Sequence, residues 1–177
     1  MITEDELKAK AKDIKLLILD VDGVMTDGKI VLDGNGNEIK SFNVRDGHGI
    51  KMAQRVGITV AIITGRQSKV VDLRAEELGI KEVHQKSVDK LKTFREMMER
   101  LGLEDREAAF VGDDIVDIPV MKRVGFPCAV SDAEEYVKEA ALVVTKRRGG
   151  EGAVREVIDY ILRCRGDWES ITAKYFV

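Results

Sequence analysis

The stretch Leu16-Leu17-Ile18-Leu19-Asp20-Val21-Asp22-Gly23 decides the architecture of this chain. Four consecutive apolar residues with no alternation read as a strand buried on both faces, the habit of a parallel sheet. The run then ends abruptly in two acids and a glycine. Four further runs share the pattern: Thr59 to Gly65, Ala108 to Asp114, Pro127 to Val130 and Ala141 to Thr145. Between them lie helix-period segments. Val71, Ala75 and Leu78 form one apolar stripe closed by Gly79. Leu91, Phe94, Met98 and Leu101 form a second closed by Gly102, and Val154, Val157, Ile158 and Ile161 form a third. The alternation predicts an α/β, Rossmann-like three-layer sandwich with a central parallel sheet. One segment breaks the rhythm. Residues 29–44, with Asp33-Gly34-Asn35-Gly36-Asn37 at the centre, read as a β-hairpin inserted after the first strand. Residues 166–177 follow the last stripe as a tail carrying Trp168, Tyr175 and Phe176, aromatics that call for docking on their own domain or on a neighbour.

Size and charge narrow the function. The 177 residues suit one domain spanning 1–177. With 29 basic against 32 acidic residues, interleaved along the chain, nothing points to a nucleic-acid partner. No apolar run approaches the roughly 18–20 residues of a membrane span, and the charged N-terminus lacks a signal-peptide centre. Cys128 and Cys164 are too few and too isolated for a disulfide framework. These features together predict a cytoplasmic protein with reduced thiols.

The chemistry sits where the strands end. Ligands of open α/β sheets bind at the carboxyl edge. Here that edge would carry Asp20 and Asp22, then Thr64, then Asp113, Asp114 and Asp117. Buried carboxylates are costly unless paired or metal-bound, and a hard divalent cation such as Mg²⁺ suits an all-oxygen site. A carboxylate can attack phosphorus to form an acyl phosphate, while a second acid protonates the leaving oxygen. A lysine is needed for charge balance, and Lys86 and Lys90 both stand near a helix start.

Taken together, Asp20 to Asp27 (DVDGVMTD), Ile63 to Arg66 (ITGR), Lys90 and Gly112 to Asp117 (GDDIVD) resemble the four motifs of the haloacid dehalogenase superfamily of phosphotransferases. The hairpin leading into Phe42 to Ile50, the Val111 to Met121 segment and Lys146 to Val157 resemble more closely its small cap-less branch, the 3-deoxy-D-manno-octulosonate 8-phosphate phosphatases. The resemblance implies Asp20 as nucleophile and Mg²⁺ ligand, and Asp22 as general acid/base giving its backbone carbonyl to the metal. It implies Asp113 as a third metal contact, Thr64 and Lys90 on the phosphoryl group, and Asp114 and Asp117 behind them. It further implies substrate contacts from Asn43, Val44, Arg45, Asp46, Gly47, Lys51, Arg66 and Arg74. Arginine suits the sugar carboxylate because its planar fork gives two parallel hydrogen bonds. His48 and His84 read as ordinary loop and strand-end histidines, and Gly149-Gly150-Glu151-Gly152 as a flexible connector. No cap domain is encoded, so the resemblance implies a homotetramer whose hairpins pack together and whose subunits close one another's sites, with the tail as a lid. Competing readings are a phosphatase for a nonulosonate 9-phosphate and a non-catalytic oligomerisation module. The preference among Mg²⁺, Mn²⁺ and Co²⁺ is open at this level.

Overall fold

The computed structural model describes residues 3–177. Its strands and helices are α1 (Glu4–Lys12), β1 (Leu16–Leu19), β2 (Val31–Leu32), β3 (Glu38–Ile39), α2 (Val44–Arg55), β4 (Thr59–Ile63), α3 (Lys69–Leu78), β5 (Glu82–His84), α4 (Lys90–Leu101), β6 (Ala108–Gly112), α5 (Ile118–Met121), β7 (Phe126–Ala129), α6 (Glu135–Glu139), β8 (Val143–Val144), α7 (Ala153–Arg165) and α8 (Trp168–Thr172). Six strands form one parallel sheet in the order β5-β4-β1-β6-β7-β8. The four residues of β1 are at most 1% exposed, because β4 and β6 flank it and helices cover both faces. Helices α1, α2 and α7 pack together, and α4 packs on α5. Right-handed crossovers put α2 and α3 on one face and α4 and α5 on the other.

The chain leaves β1 toward β4 and β5, then returns to place β6 on β1's other side. The order reverses between β1 and β6, and a crevice opens at their carboxyl ends. The expected sandwich is therefore present, and no cap domain occurs among the described residues.

Four expectations need adjusting. The hairpin pairs only Val31 with Ile39 and Leu32 with Glu38. It ends well before Val44, because Asn43 caps α2 by accepting the Arg45 N–H at 2.8 Å. The sheet also contains β5, an edge strand whose half-buried Glu82-Val83-His84 gives little apolar signal. The tail is no bare extension: Gly166 turns the chain in the left-handed region and α8 follows. There Trp168 lies under the Arg163 guanidinium at 3.8 Å and Ile171 packs on the core. Docking is thus on its own domain as far as Tyr175, whose hydroxyl stands 3.4 Å from His48 Nε2, and Phe176 and Val177 project outward. Finally, Gly149-Gly150-Glu151-Gly152 is not a flexible connector. Gly149 donates to Asp132 Oδ1 at 2.9 Å and Gly150 to the Val24 carbonyl at 3.0 Å. A Cβ at Gly149 would fall 1.7 Å from the Gly23 carbonyl oxygen, so glycine is there because two backbones touch.

Candidate active site

A cavity of about 320 Å³ opens at the carboxyl edge, lined by Asp20, Asp22, Gly28, Thr64, Gly65, Arg66, Lys90, Asp113, Asp114 and Val116. Larger hollows exist, including one of about 570 Å³ beside α1 and α7, but that one gathers no buried carboxylates. The smaller one gathers the buried Asp20 and Lys90 with Asp22 and Asp113.

Its floor is a charge cluster. Lys90 opens α4, and its ammonium lies 2.6 Å from Asp117 Oδ1 and 3.0 Å from Asp20 Oδ2, with all three side chains at most 9% exposed. Burial alone would pull this ammonium down, but Asp20 and Asp117 hold it above the ordinary lysine range. Lys86 is exposed, with its backbone at φ 56°, so Lys90 is the lysine that the fold delivers. Asp117 is fully buried and anchors the loop after β6: its Oδ2 accepts the N–H groups of Asp113 at 2.9 Å and Asp114 at 3.2 Å. Asp114 caps the short turn that follows and meets Tyr136 Oη at 3.4 Å.

One oxygen of each of Asp20, Asp113 and Asp117 lies within 4.8 Å of the others. Burial, opposed in part by Lys90 and reinforced by Asp117, raises the Asp20 carboxyl to about 6. Burial, with Asp20 and Asp117 adding repulsion, raises Asp113 to about 8. Asp113 Oδ1 is buried with no hydrogen-bond partner among the described residues. Both oxygens of Asp117 are engaged, and so are those of Asp20, whose Oδ1 accepts the Val21 N–H at 2.7 Å and whose Oδ2 faces Lys90, so the oxygen left over for a cation is that of Asp113. An orphaned oxygen in an acidic, all-oxygen cluster fits a hard divalent cation such as Mg²⁺. Gly23 makes room for it: at φ 92°, a Cβ there would fall 2.0 Å from Asp113 Oδ2.

The rim is a second cluster, and half of it escaped sequence reasoning. Asp22 Oδ1 is held by Lys40, whose side chain is only 1% exposed, and Asp22 Oδ2 lies 3.5 Å from Arg66. Glu38 meets both cations, Lys40 at 3.2 Å and Arg66 at 2.8 Å, and accepts from the Ser68 hydroxyl. Burial would raise Glu38, but hydrogen bonds from Ser68 and Lys40 and the nearby Arg66 charge hold it below the ordinary range. The available signal was the strand alternation, which puts Glu38 and Lys40 on one side of the hairpin and Ile39 on the other.

The fold thus brings together Asp20, Asp22, Thr64, Arg66, Lys90, Asp113, Asp114 and, beneath them, Asp117. It does not bring the remaining candidates to this cavity. Asp46 and Gly47 are buried in their own domain, where Asp46 Oδ1 accepts the Arg155 N–H at 2.7 Å. Asn43 spends its side chain capping α2 and donating to the Gly150 carbonyl at 3.3 Å. Val44 and Arg45 face outward. Arg74 pairs with Glu77 at 2.7 Å and covers the Phe42 ring. Lys51 ends beside Gly79, at the far end of α3 from the cavity.

Residues 68–158 match the model of the haloacid dehalogenase-like hydrolases. The 3-deoxy-D-manno-octulosonate 8-phosphate phosphatase of Escherichia coli K12 is 49% identical over 158 residues, covering 89% of this chain and 84% of that protein. The crystal structure of the Yersinia pestis enzyme of that name superposes with a TM-score of 0.92 at 45% identity, covering 93% of this chain and 89% of that one. The Moraxella catarrhalis phosphatase, crystallised with a magnesium ion, a phosphate ion and 3-deoxy-D-manno-octulosonate, superposes with a TM-score of 0.95 at 39% identity, covering 98% and 99%.

Proposed function

This chain belongs to the haloacid dehalogenase-like hydrolases, within them to the 3-deoxy-D-manno-octulosonate 8-phosphate phosphatases, and we propose from that premise how its residues divide the work. It is a Mg²⁺-dependent phosphatase that releases phosphate from this sugar-acid phosphate, a precursor of lipopolysaccharide. The observation that carries the residue assignment is the Lys90 ammonium held between Asp20 and Asp117, beside a buried Asp113 oxygen that nothing else satisfies. Asp20 attacks phosphorus and becomes an aspartyl phosphate. Asp22 gives its proton to the departing sugar oxygen, then takes one from the water that releases phosphate from Asp20. Lys90 and Thr64 hold the phosphoryl oxygens, and Asp117 keeps Lys90 and the Asp113 loop in place. Mg²⁺, held by the Asp20 and Asp113 carboxylates and the Asp22 carbonyl, supplies charge that lowers repulsion between two anions.

A homotetramer completes the site in this reading. The hairpin exposes Ile30, Val31, Leu32 and Ile39, each at least 45% accessible, more apolar surface than so small an element leaves bare without a partner. The outward Val44 and Arg45, with Lys51 and Arg74, would then serve a neighbouring copy's cavity, and the projecting Phe176 and Val177 would reach over one as a lid. Two free thiols fit a cytoplasmic setting. The test is phosphate release from a panel of sugar-acid phosphates, nonulosonate 9-phosphates included. Release from 3-deoxy-D-manno-octulosonate 8-phosphate with Mg²⁺, none with EDTA and none from Asp20→Asn is the expected result. Release by Asp20→Asn would remove Asp20 as nucleophile, and preference for a nine-carbon acid would move the substrate.

A further inference from the structure

The mechanism above uses Asp22 and leaves its neighbours unexplained. The Lys40 side chain has almost no solvent contact, and among the described residues its carboxylate partners are Asp22 and Glu38. Glu38 in turn holds Arg66, which reaches Asp22 from the cavity side. The four groups form a closed ring of two carboxylates and two cations. Ser68 donates its hydroxyl to Glu38, and its N–H to Gln85 Oε1 at 2.6 Å. Gln85 continues to Asp72 at 2.6 Å. The ring is therefore pinned to α3 and to the segment after β5 as well as to the hairpin.

A buried ammonium is retained at a cost, since a hydrophobic side chain of similar volume often stabilises more. Conformational specificity is the best-attested return, and here the specificity concerns Asp22. Its loop makes a tight turn in which the N–H groups of Val24, Met25 and Thr26 all point at the Val21 carbonyl. That turn sets the Asp22 backbone but leaves the carboxylate free to rotate. Lys40 takes Oδ1, so Oδ2 is the oxygen left at the cavity, where Arg66 stands.

We propose that Lys40, through the Asp22–Lys40–Glu38–Arg66 ring, is a positioning residue that fixes the Asp22 carboxyl toward the leaving oxygen of the substrate. This rests on the phosphatase reading above. Lys40 is not among the residues that line the cavity, and its ammonium pairs with Asp22 and Glu38, so it acts through the side chain of Asp22. The hairpin thereby does more than offer an apolar outer surface, because its inner side supplies one cation and one carboxylate to the site of the same chain.

Two substrates separate orientation of a proton donor from general damage. A sugar alkoxide leaves poorly without a proton, whereas p-nitrophenolate leaves without one. For both, kcat/KM reports only the steps through phosphoryl transfer. Full-length Lys40→Met, Lys40→Arg and the unmodified protein are compared on 3-deoxy-D-manno-octulosonate 8-phosphate and on p-nitrophenyl phosphate, with Mg²⁺ affinity and melting temperature alongside. Lys40→Met is expected to lose on the order of ten- to a hundredfold in kcat/KM on the sugar phosphate, the scale of a misaligned general acid. On p-nitrophenyl phosphate it is expected to lose less than about threefold, with Mg²⁺ affinity unchanged. Lys40→Arg, which keeps the charge, is expected to recover most of the loss and guards against a Lys40→Met chain that fails to fold. Equal losses on both substrates, or full activity of Lys40→Met on the sugar phosphate, would overturn the role of Lys40. If Lys40→Met does not fold, a Lys40→Arg chain that loses activity equally on both substrates overturns it too. No release from either substrate by the unmodified protein overturns the phosphatase reading itself.

Discussion

Replacing Asp117 by Asn tests whether the Lys90 cluster is held as its distances imply. The carboxylate is fully buried and satisfies three donors: the Lys90 ammonium at 2.6 Å on one oxygen, and the Asp113 and Asp114 amides at 2.9 and 3.2 Å on the other. Asparagine is isosteric but brings one oxygen and one NH₂. If its oxygen faces Lys90, the two amides meet a donor; if it faces the amides, the ammonium does. Removing one partner of a buried ion pair costs about 3–5 kcal/mol, and stranding an amide about 1–3. Against this, one negative charge leaves a cluster in which Asp117 raises both Asp20 and Asp113. The lower end is therefore expected, about 3 kcal/mol, a melting-temperature drop of roughly 6–12 °C for a chain of this size. The measurement is urea and thermal unfolding in EDTA for Asp117→Asn, Lys90→Met and the double variant. If the two side chains are partners, the double variant is less damaged than the sum of the singles by about 2–4 kcal/mol. Additivity within about 0.5 kcal/mol would mean that they do not interact, and the account of the cavity floor would fall with it.

Three further outcomes follow from the same geometry. Gly23→Ala puts a methyl 2.0 Å from Asp113 Oδ2 on a residue at φ 92°, so Mg²⁺ affinity measured by calorimetry should fall at least about tenfold, with about 1–2 kcal/mol lost to the backbone; unchanged affinity would contradict the Asp113 assignment. Burial raises the Asp46 carboxyl to about 6 from 3.8, so the native state holds its proton more tightly than the unfolded chain. This group's contribution is present at acid pH and is lost as pH rises from about 4 to about 6, about 3 kcal/mol in all, so the stability of Asp46→Asn relative to the unmodified protein should climb over that window and level off above it; a constant difference would show that Asp46 is not held neutral. Truncation before Lys174 should leave the melting temperature within about 2 °C while lowering turnover, whereas truncation at Gly166 also removes Trp168 and Ile171 from the core and should lower stability by several degrees; unaltered steady-state kinetics in the shorter truncation would remove the lid.

How far the sequence could be read depended on whether a feature lay in neighbouring residues. β1, β4 and β6 were legible because strands buried on both faces must be apolar throughout. β5 was not, since an edge strand needs only Val83 and can carry Glu82 and His84. The floor of the site was legible because each carboxylate follows a strand and the resemblance ordered them. The rim was not: Lys40 meets Asp22 across 18 residues, and no local pattern separates it from the surface lysines. The glycines at 149 and 150 show the opposite error. Composition suggests flexibility, yet contact with the backbone of Gly23 and of Thr26-Asp27 requires residues without side chains. Asp46 and Gly47 show the limit of transfer by motif, since their place in a recognised stretch says nothing of which side chains the helix start buries.

The two clusters differ in charge, and that difference orders the events of binding. The rim sets Asp22 and Glu38 against Lys40 and Arg66, balanced when all four are ionised and one positive charge in excess when Asp22 carries the proton it donates, so it does not repel an anion. The floor sets Asp20, Asp113 and Asp117 against Lys90 alone and is two charges short when all are ionised. Without a cation, the chain relieves the shortfall by holding protons, as the raised Asp20 and Asp113 carboxyls indicate. A phosphate dianion entering that floor meets repulsion worth about 1 kcal/mol per charge pair at 4 Å in water, and about four times that near a protein surface. One divalent cation removes the deficit. Inorganic phosphate, which carries no sugar for the rim to recognise, should therefore bind at least about a hundredfold more tightly with saturating Mg²⁺ than in EDTA, a gap of about 2.7 kcal/mol. Equilibrium dialysis with labelled phosphate measures it directly. Equal affinity in the two conditions would mean that Lys90 and Thr64 suffice to hold the anion, and that the carboxylates on the floor are already neutral when it arrives.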